Sequence, residues 1–294
     1  MGERTYDEAA YDGVRLRRLD DAGNVAEFVL DRPEALNALS TNLARSIGRA
    51  SADLAADRRV RAVVVSSACE KAFCVGADLK ERSDFTDADL WAQRPIMRAA
   101  FGGLLDLPVP VVVAVHRYAL GGGFELALAG DLIVADQTAI FGLPEVSVGL
   151  VPGGGGTQLL ARRIGWSRAF DLIVTARRVE AAEGERLGFV DRLVPPGQAR
   201  ETAVDLARQI AGNSPVGVRS AKRALRLGAA AGLAEGLEIE DAAWRQTAFS
   251  ADRREGIAAF NEKRPPRWPG DTRWPGDTRW PEDTRWPGDT GTGR

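Results

Sequence analysis

Histidine is almost missing from this chain of 294 residues: His116 stands alone. Cysteine is nearly as scarce, with Cys69 and Cys74 only. Their C-x4-C spacing has no second ligand pair, which argues against a structural metal centre. Two reduced thiols and no metal are the expectation. A surplus of either charge is also lacking. Thirty-nine Lys and Arg meet 41 Asp and Glu, for a formal net charge of −2. A phosphate backbone would find no strongly basic face, so nucleic acid is not an expected partner. Long apolar runs are absent too. The longest, "VPVVVAV" at 109–115, is too short to cross a bilayer and contains Pro110. The N-terminal "MGERTYDEAAYDG" is polar and acidic, unlike a signal peptide. A cytoplasmic protein without membrane contact is therefore expected. Finally, no Gly-Lys dipeptide occurs, which removes the P-loop.

What is present suits a globular enzyme, at 45% apolar and 27% charged. "VRLRRL-DDAGN-VAEFVL" reads as strand, turn, strand over 14–30. Ser40 looks like an N-cap, and Leu43, Ile47, Ala50 and Leu54 form one face of a helix over 41–56. "RAVVVSS", "VPVVVAV", "DLIVAD" and "AIFGL" read as strands. "DADLWAQRPIMRAAFGGLLDL" reads as helical on both sides of Pro95. Continuous apolar strands alternating with helices imply an α/β core with both sheet faces covered. After Pro195-Pro196 the strands stop and four helical segments follow. The division is a core over 1–196, a helical region over 197–266 and a repeat tail over 267–294. That tail holds four copies of Arg-Trp-Pro-Gly/Glu-Asp-Thr and four of the seven tryptophans, Trp268, Trp274, Trp280 and Trp286. Proline every sixth residue forbids a helix and disfavours a strand. Two readings stay open: a disordered product of repeat expansion, or a multivalent Trp-Pro docking tail.

"ALGGGFELALAGD" (119–131) sets a chemical question, because Gly121–Gly123 stand beside a lone acid, Glu125, on an apolar segment. A nucleotide loop is one reading, but the third glycine of G-x-G-x-x-G is missing. Close strand–helix packing is a second. The third is an anion site: N–H groups at a helix start, backed by its dipole, could hold an oxygen that gains charge during reaction. Burial would then raise the Glu125 pKa and suit it to proton transfer. That reading requires a second donor and another acid. "KAFCVGADLKE" offers the Ala77 N–H after Gly76, and "FGLPEVSVGLVPGGGGTQLL" offers Glu145 ahead of Gly153–Gly156.

These segments, with "DRPEALNALS" and "REGIAAFNEKRPP", resemble the enoyl-CoA hydratase/isomerase (crotonase) family in order and spacing over most of 14–266. The resemblance implies a spiral of ββα units followed by a helical trimerisation region. It implies an acyl-CoA thioester substrate, with no cofactor beyond the coenzyme A that the substrate carries. The Ala77 and Gly122 N–H groups match the oxyanion hole, with Gly121 and Gly123 letting the backbone approach the thioester. Ala77, Asp78, Leu79 and Lys80 match the segment beside the adenine and pantetheine. Glu125 and Glu145 match the catalytic carboxylates, and Lys263 matches a lysine that approaches the CoA phosphates. A homotrimer or a dimer of trimers is implied. His116-Arg117 and Glu34 depart from the family pattern. Retention of both glutamates favours hydration. An isomerase, a hydratase of branched or aromatic enoyl-CoA, and a non-catalytic binding protein are the alternatives.

Overall fold

The structure is a computed structural model and describes residues 10–270. β1 (Ala10–Tyr11), β2 (Val14–Arg18) and β3 (Val25–Leu30) form an antiparallel meander. Helix α1 (Thr41–Ala56) then begins at Ser40, whose side chain accepts from the Leu43 N–H as an N-cap. Next comes β4 (Ala62–Ser67), followed by β5 (Ala72–Cys74), the short α2 (Leu79–Arg82) and the long α3 (Asp87–Leu105). α3 is one helix that runs through Pro95. The following turn contributes β6 (Val111–Val115), β7 (Tyr118–Leu120) and α4 (Gly122–Ala129). The turn after that contributes β8 (Leu132–Asp136), β9 (Ile140–Gly142), a 3-10 turn (Glu145–Val148), α5 (Gly156–Ile164) and α6 (Trp166–Val174). β10 (Val179–Glu180), α7 (Ala181–Leu187) and β11 (Arg192–Val194) finish the strands. α8 (Ala199–Ala211), α9 (Pro215–Gly228), α10 (Leu233–Ala248) and α11 (Ala251–Asn261) follow.

Each turn gives one strand to a large sheet and the next to a small one. The large sheet runs β1-β2-β3-β4-β6-β8-β11, and the small sheet β10-β9-β7-β5. Strands β4, β6 and β8 pair in parallel, as do β5, β7 and β9, so the chain winds as a spiral of ββα units.

Alternate residues point to opposite faces and both faces are covered, which explains why the central large-sheet strands β4, β6 and β8 are largely apolar. Val63, Val65, Val111, Val113, Ile133 and Ala135 face the main core. Val64, Val112 and Val134 face the opposite way, onto Ala203, Leu206 and Ala207 of α8. Buried Glu27 on β3 takes a bidentate ion pair from Arg200 at 2.6 and 2.7 Å and fixes the start of α8. Inside the spiral, Phe124, Phe141 and Phe189 hold ring centroids 5.0–5.2 Å apart. They tie α4 to β9 and to the loop before β11.

Candidate active site

Two glycine turns bring the sequence-distant donors together. Gly76 has φ +92°, and a Cβ there would lie 2.8 Å from the Leu120 carbonyl and 3.2 Å from the Gly122 nitrogen. Only glycine permits both that φ and that approach. Ala77 follows at once. It is held by Leu39, whose N–H donates to Gly76 O at 2.7 Å and whose carbonyl accepts the Asp78 N–H at 3.1 Å. This parallel bridge engages the residues on either side of Ala77 and leaves the Ala77 N–H turned away from Leu39. Across the gap, Gly122 is the first residue of α4. A first-turn N–H has no partner within its helix and carries the positive end of the dipole. Ala77 and Gly122 are thus neighbouring backbone donors.

The flanking glycines also serve the fold. A Cβ on Gly123 would lie 2.0 Å from the Cys74 carbonyl, so α4 can rest on β5 only through a bare Cα. Gly121 has φ +51°, and a Cβ there would lie 2.9 Å from Glu145 Oε1.

Glu125 lies one turn into α4 and is buried at 3% exposure. Its Oε1 accepts from Gly154 N at 2.7 Å and Gly156 N at 2.8 Å. Burial pushes its pKa up, against the opposing pull of those N–H groups and of Arg94. Glu145 opens the 3-10 turn after Pro144. Its Oε2 is buried without a hydrogen-bond partner. Burial raises its pKa to about 7; its own backbone N–H opposes the rise, and the charge of Glu125 adds to it. Two carboxylates within electrostatic reach can hold one proton between them near neutral pH.

The remaining expected residues divide. The Asp78 side chain turns inward. It caps α2 through Lys80 N and Glu81 N and pairs with Arg32 at 2.7 Å. Leu79 and Lys80 are exposed beside it. Lys263 is exposed beyond the end of α11, which packs mainly on α9 and α10 rather than on the elements carrying the carboxylates. His116 follows β6 and shares a 2.9 Å hydrogen bond with Cys69 O, while Arg117 is exposed with φ +52°. The two cysteines are free and buried, and burial pushes the Cys74 thiol up to about 12.

Three contributors were not singled out by residue type in the sequence: the glycine N–H groups that hold Glu125, Asn37 and Arg94. The Gly154 and Gly156 N–H groups hold Glu125, although the glycine run was legible as a helix start. Asn37, fully buried with φ +55°, donates to Ser67 Oγ and Phe73 O at 2.8 Å, and its Oδ1 accepts the Arg32 N–H. The "DRPEALNALS" segment is thereby the clamp on β5. Arg94 of α3 donates to Gly153 O at 2.7 Å.

Comparison with known proteins gives the family and the fold. A family model described as enoyl-CoA hydratase/isomerase matches residues 20–271. Mitochondrial methylglutaconyl-CoA hydratase of Homo sapiens is 39% identical over 265 residues, spanning 88% of this chain and 78% of that protein. Mitochondrial enoyl-CoA hydratase domain-containing protein 2 of Bos taurus is 40% identical over 253 residues, 84% of this chain and 85% of that one. The solved enoyl-CoA hydratase of Bacillus anthracis matches with a TM-score of 0.85 at 36% identity, covering 88% of this chain and 100% of that one. The spiral of ββα units is the crotonase fold, and the chain belongs to the enoyl-CoA hydratase/isomerase family.

Proposed function

We propose that the chain is an enoyl-CoA hydratase that adds water across the double bond of a 2-enoyl-CoA thioester. One observation carries this reading: a buried carboxylate, Glu125, and a half-buried one, Glu145, whose pKa the charge of Glu125 helps to raise and whose Oε2 is buried without a partner, stand beside adjacent backbone donors. The thioester oxygen accepts from Ala77 N–H and Gly122 N–H, which stabilise the enolate as it forms. Ionised Glu125 holds a water and takes its proton as the oxygen attacks Cβ. Protonated Glu145 gives its proton to Cα. The proton on Glu125 then returns through solvent to Glu145, and the cycle closes without a redox or metal step. Coenzyme A enters only as part of the substrate. Asp78, Leu79 and Lys80 border its adenine and pantetheine, and Lys263 meets its phosphates from a neighbouring subunit of a homotrimer or dimer of trimers. The human relative's name favours a branched enoyl chain as the specific substrate.

Steady-state hydration of crotonyl-CoA tests the reading, with products identified by mass. Glu125→Gln and Glu145→Gln should each lower kcat by about 10²–10⁴. A product that gains one water is expected. A product of unchanged mass with a shifted double bond would assign the site to isomerisation. Near-normal turnover in either variant would remove that residue from the mechanism.

A further inference from the structure

The repeat tract begins inside the described structure, and its first unit is seated rather than detached. Arg267 N–H donates to Glu255 Oε1 at 2.5 Å. The Trp268 indole N–H donates to Gly212 O at 2.7 Å. That carbonyl caps the end of α8, where helix carbonyls lack intrahelical partners and the dipole is negative. The indole lies over Gly256 of α11, where a Cβ would come within 3.3 Å of the ring. Gly270 N–H donates to Asp252 Oδ1 at 2.9 Å. Asp252 is itself buried at 2% exposure and accepts from Ser214 Oγ at 2.6 Å through its other oxygen. Gly270 has φ +64°, a conformation that glycine adopts without strain. Of the four described tryptophans, only Trp268 is half-buried. A cavity of about 490 Å³ opens beside the indole.

Three of four consecutive residues, Arg267, Trp268 and Gly270, thus meet four specific features of the body: Glu255, the Gly212 carbonyl, Gly256 and Asp252. The same four, Arg-Trp-Pro-Gly, recur at 273–276 and 285–288, six and eighteen residues further on. The third copy, at 279–282, differs at one position: Glu282 stands where the seat requires a left-handed residue facing a carboxylate. A side chain is strained at that φ, and its charge would oppose Asp252.

We propose that the corner between the end of α8, the start of α9 and α11 is a recognition seat for an Arg-Trp-Pro-Gly turn, filled in cis by any one of three competent copies. Residues 267–270, 273–276 and 285–288 compete for it, and 279–282 does not. Loop closure costs grow only with the logarithm of length, so the later copies remain effective ligands. Covalent linkage keeps their local concentration high. The seat uses none of the residues assigned to the reaction, so the inference stands apart from the proposed hydration.

Fluorine NMR of the full chain labelled with 5-fluorotryptophan tests it, reading each indole's exposure from its H2O/D2O shift. The wild type should show one shielded repeat indole. Trp268→Ala should keep a shielded line at reduced intensity, now from Trp274 or Trp286, and unchanged on tenfold dilution. Trp268→Ala/Trp274→Ala/Trp286→Ala should lose it and leave Trp280 exposed. Adding Glu282→Gly to that triple variant should bring a shielded line back. Loss of the line in Trp268→Ala alone would make the contact local packing and overturn the proposal. A shielded fraction that falls on dilution would place the docking between chains and overturn the cis assignment. Failure of Glu282→Gly to restore the line would overturn the sequence rule.

Discussion

Glu145 combines a buried, unpartnered oxygen with a pKa raised to about 7 by burial, with Glu125 adding to the rise. A carboxyl raised on folding binds its proton more tightly in the native state, so native stability falls as pH rises from 4.5 toward 7. Glu145→Gln should therefore leave stability unchanged below pH ~4 and raise it by roughly 1–3 kcal/mol above pH ~7. Urea unfolding at both pH values measures this, and equal effects at both would refute the burial argument. Arg94 supports a second prediction. Its guanidinium binds the carbonyl of the Gly153–Gly154 peptide, whose N–H on the opposite edge binds Glu125. Arg94 also pulls the Glu125 pKa down. Arg94→Gln should raise that pKa further and move the acid limb of the kcat/KM profile to higher pH, while Arg94→Lys largely restores it. An unshifted limb would mean that Arg94 supports only the loop. Glu125 stood out in sequence because a carboxylate in an apolar, glycine-flanked setting is conspicuous, whereas Glu145 was singled out only by the need for a second acid and by the family resemblance. The N–H groups holding Glu125 were not, since a backbone donor leaves no mark on residue type. Nor was Arg94, whose partner is 59 residues away.

α4 gives opposite answers at adjacent glycines. A methyl on Gly123 would meet the Cys74 carbonyl, which belongs to β5 and cannot rotate aside. Gly123→Ala should destabilise by at least about 3 kcal/mol, at the upper end for overpacking. Gly122 lacks a positive φ, and its nearest obstacle is the tip of Leu39. Proline is accepted at the first helical position. Gly122→Pro should keep the thermal transition near wild type while lowering kcat by about 10²–10³, through loss of one oxyanion donor. Circular dichroism with crotonyl-CoA kinetics separates the two effects, and full activity in the proline variant would end the oxyanion assignment. Helix α1 could be read from sequence to its ends, because Ser40 caps it and its apolar face recurs at helical spacing. β5 and β7 could not. Each has three residues, and their pairing is decided by the spiral rather than by local propensity. The segment around Pro95 reads as helical on both sides of that residue, and in the structure it is one helix that packs along α1.

The division drawn at residue 196 separates strands from helices, yet α8 lies across the outer face of the large sheet and shares its core. Local pattern cannot reveal that, because α8 meets strands more than sixty residues distant in sequence. The later helices pose a different problem. α10 buries none of its residues, although it carries Leu233, Leu237 and Trp244, all exposed. Elsewhere Trp166 and Phe170 of α6 stack at 4.7 Å and are also exposed. Apolar faces of this size on a lone chain argue for coverage by other copies. Under the proposed assembly, sedimentation equilibrium should give a mass of about three or six times the 31.6 kDa chain. Leu237→Glu/Trp244→Glu should lower that mass, because a carboxylate buried at a subunit contact has no partner there. Hydration should fall with assembly, if Lys263 reaches a neighbour's substrate, mainly through a higher KM rather than a lower kcat. A double variant that keeps its mass would show that α10 faces solvent. One that becomes monomeric with unchanged KM would show that each chain binds coenzyme A by itself.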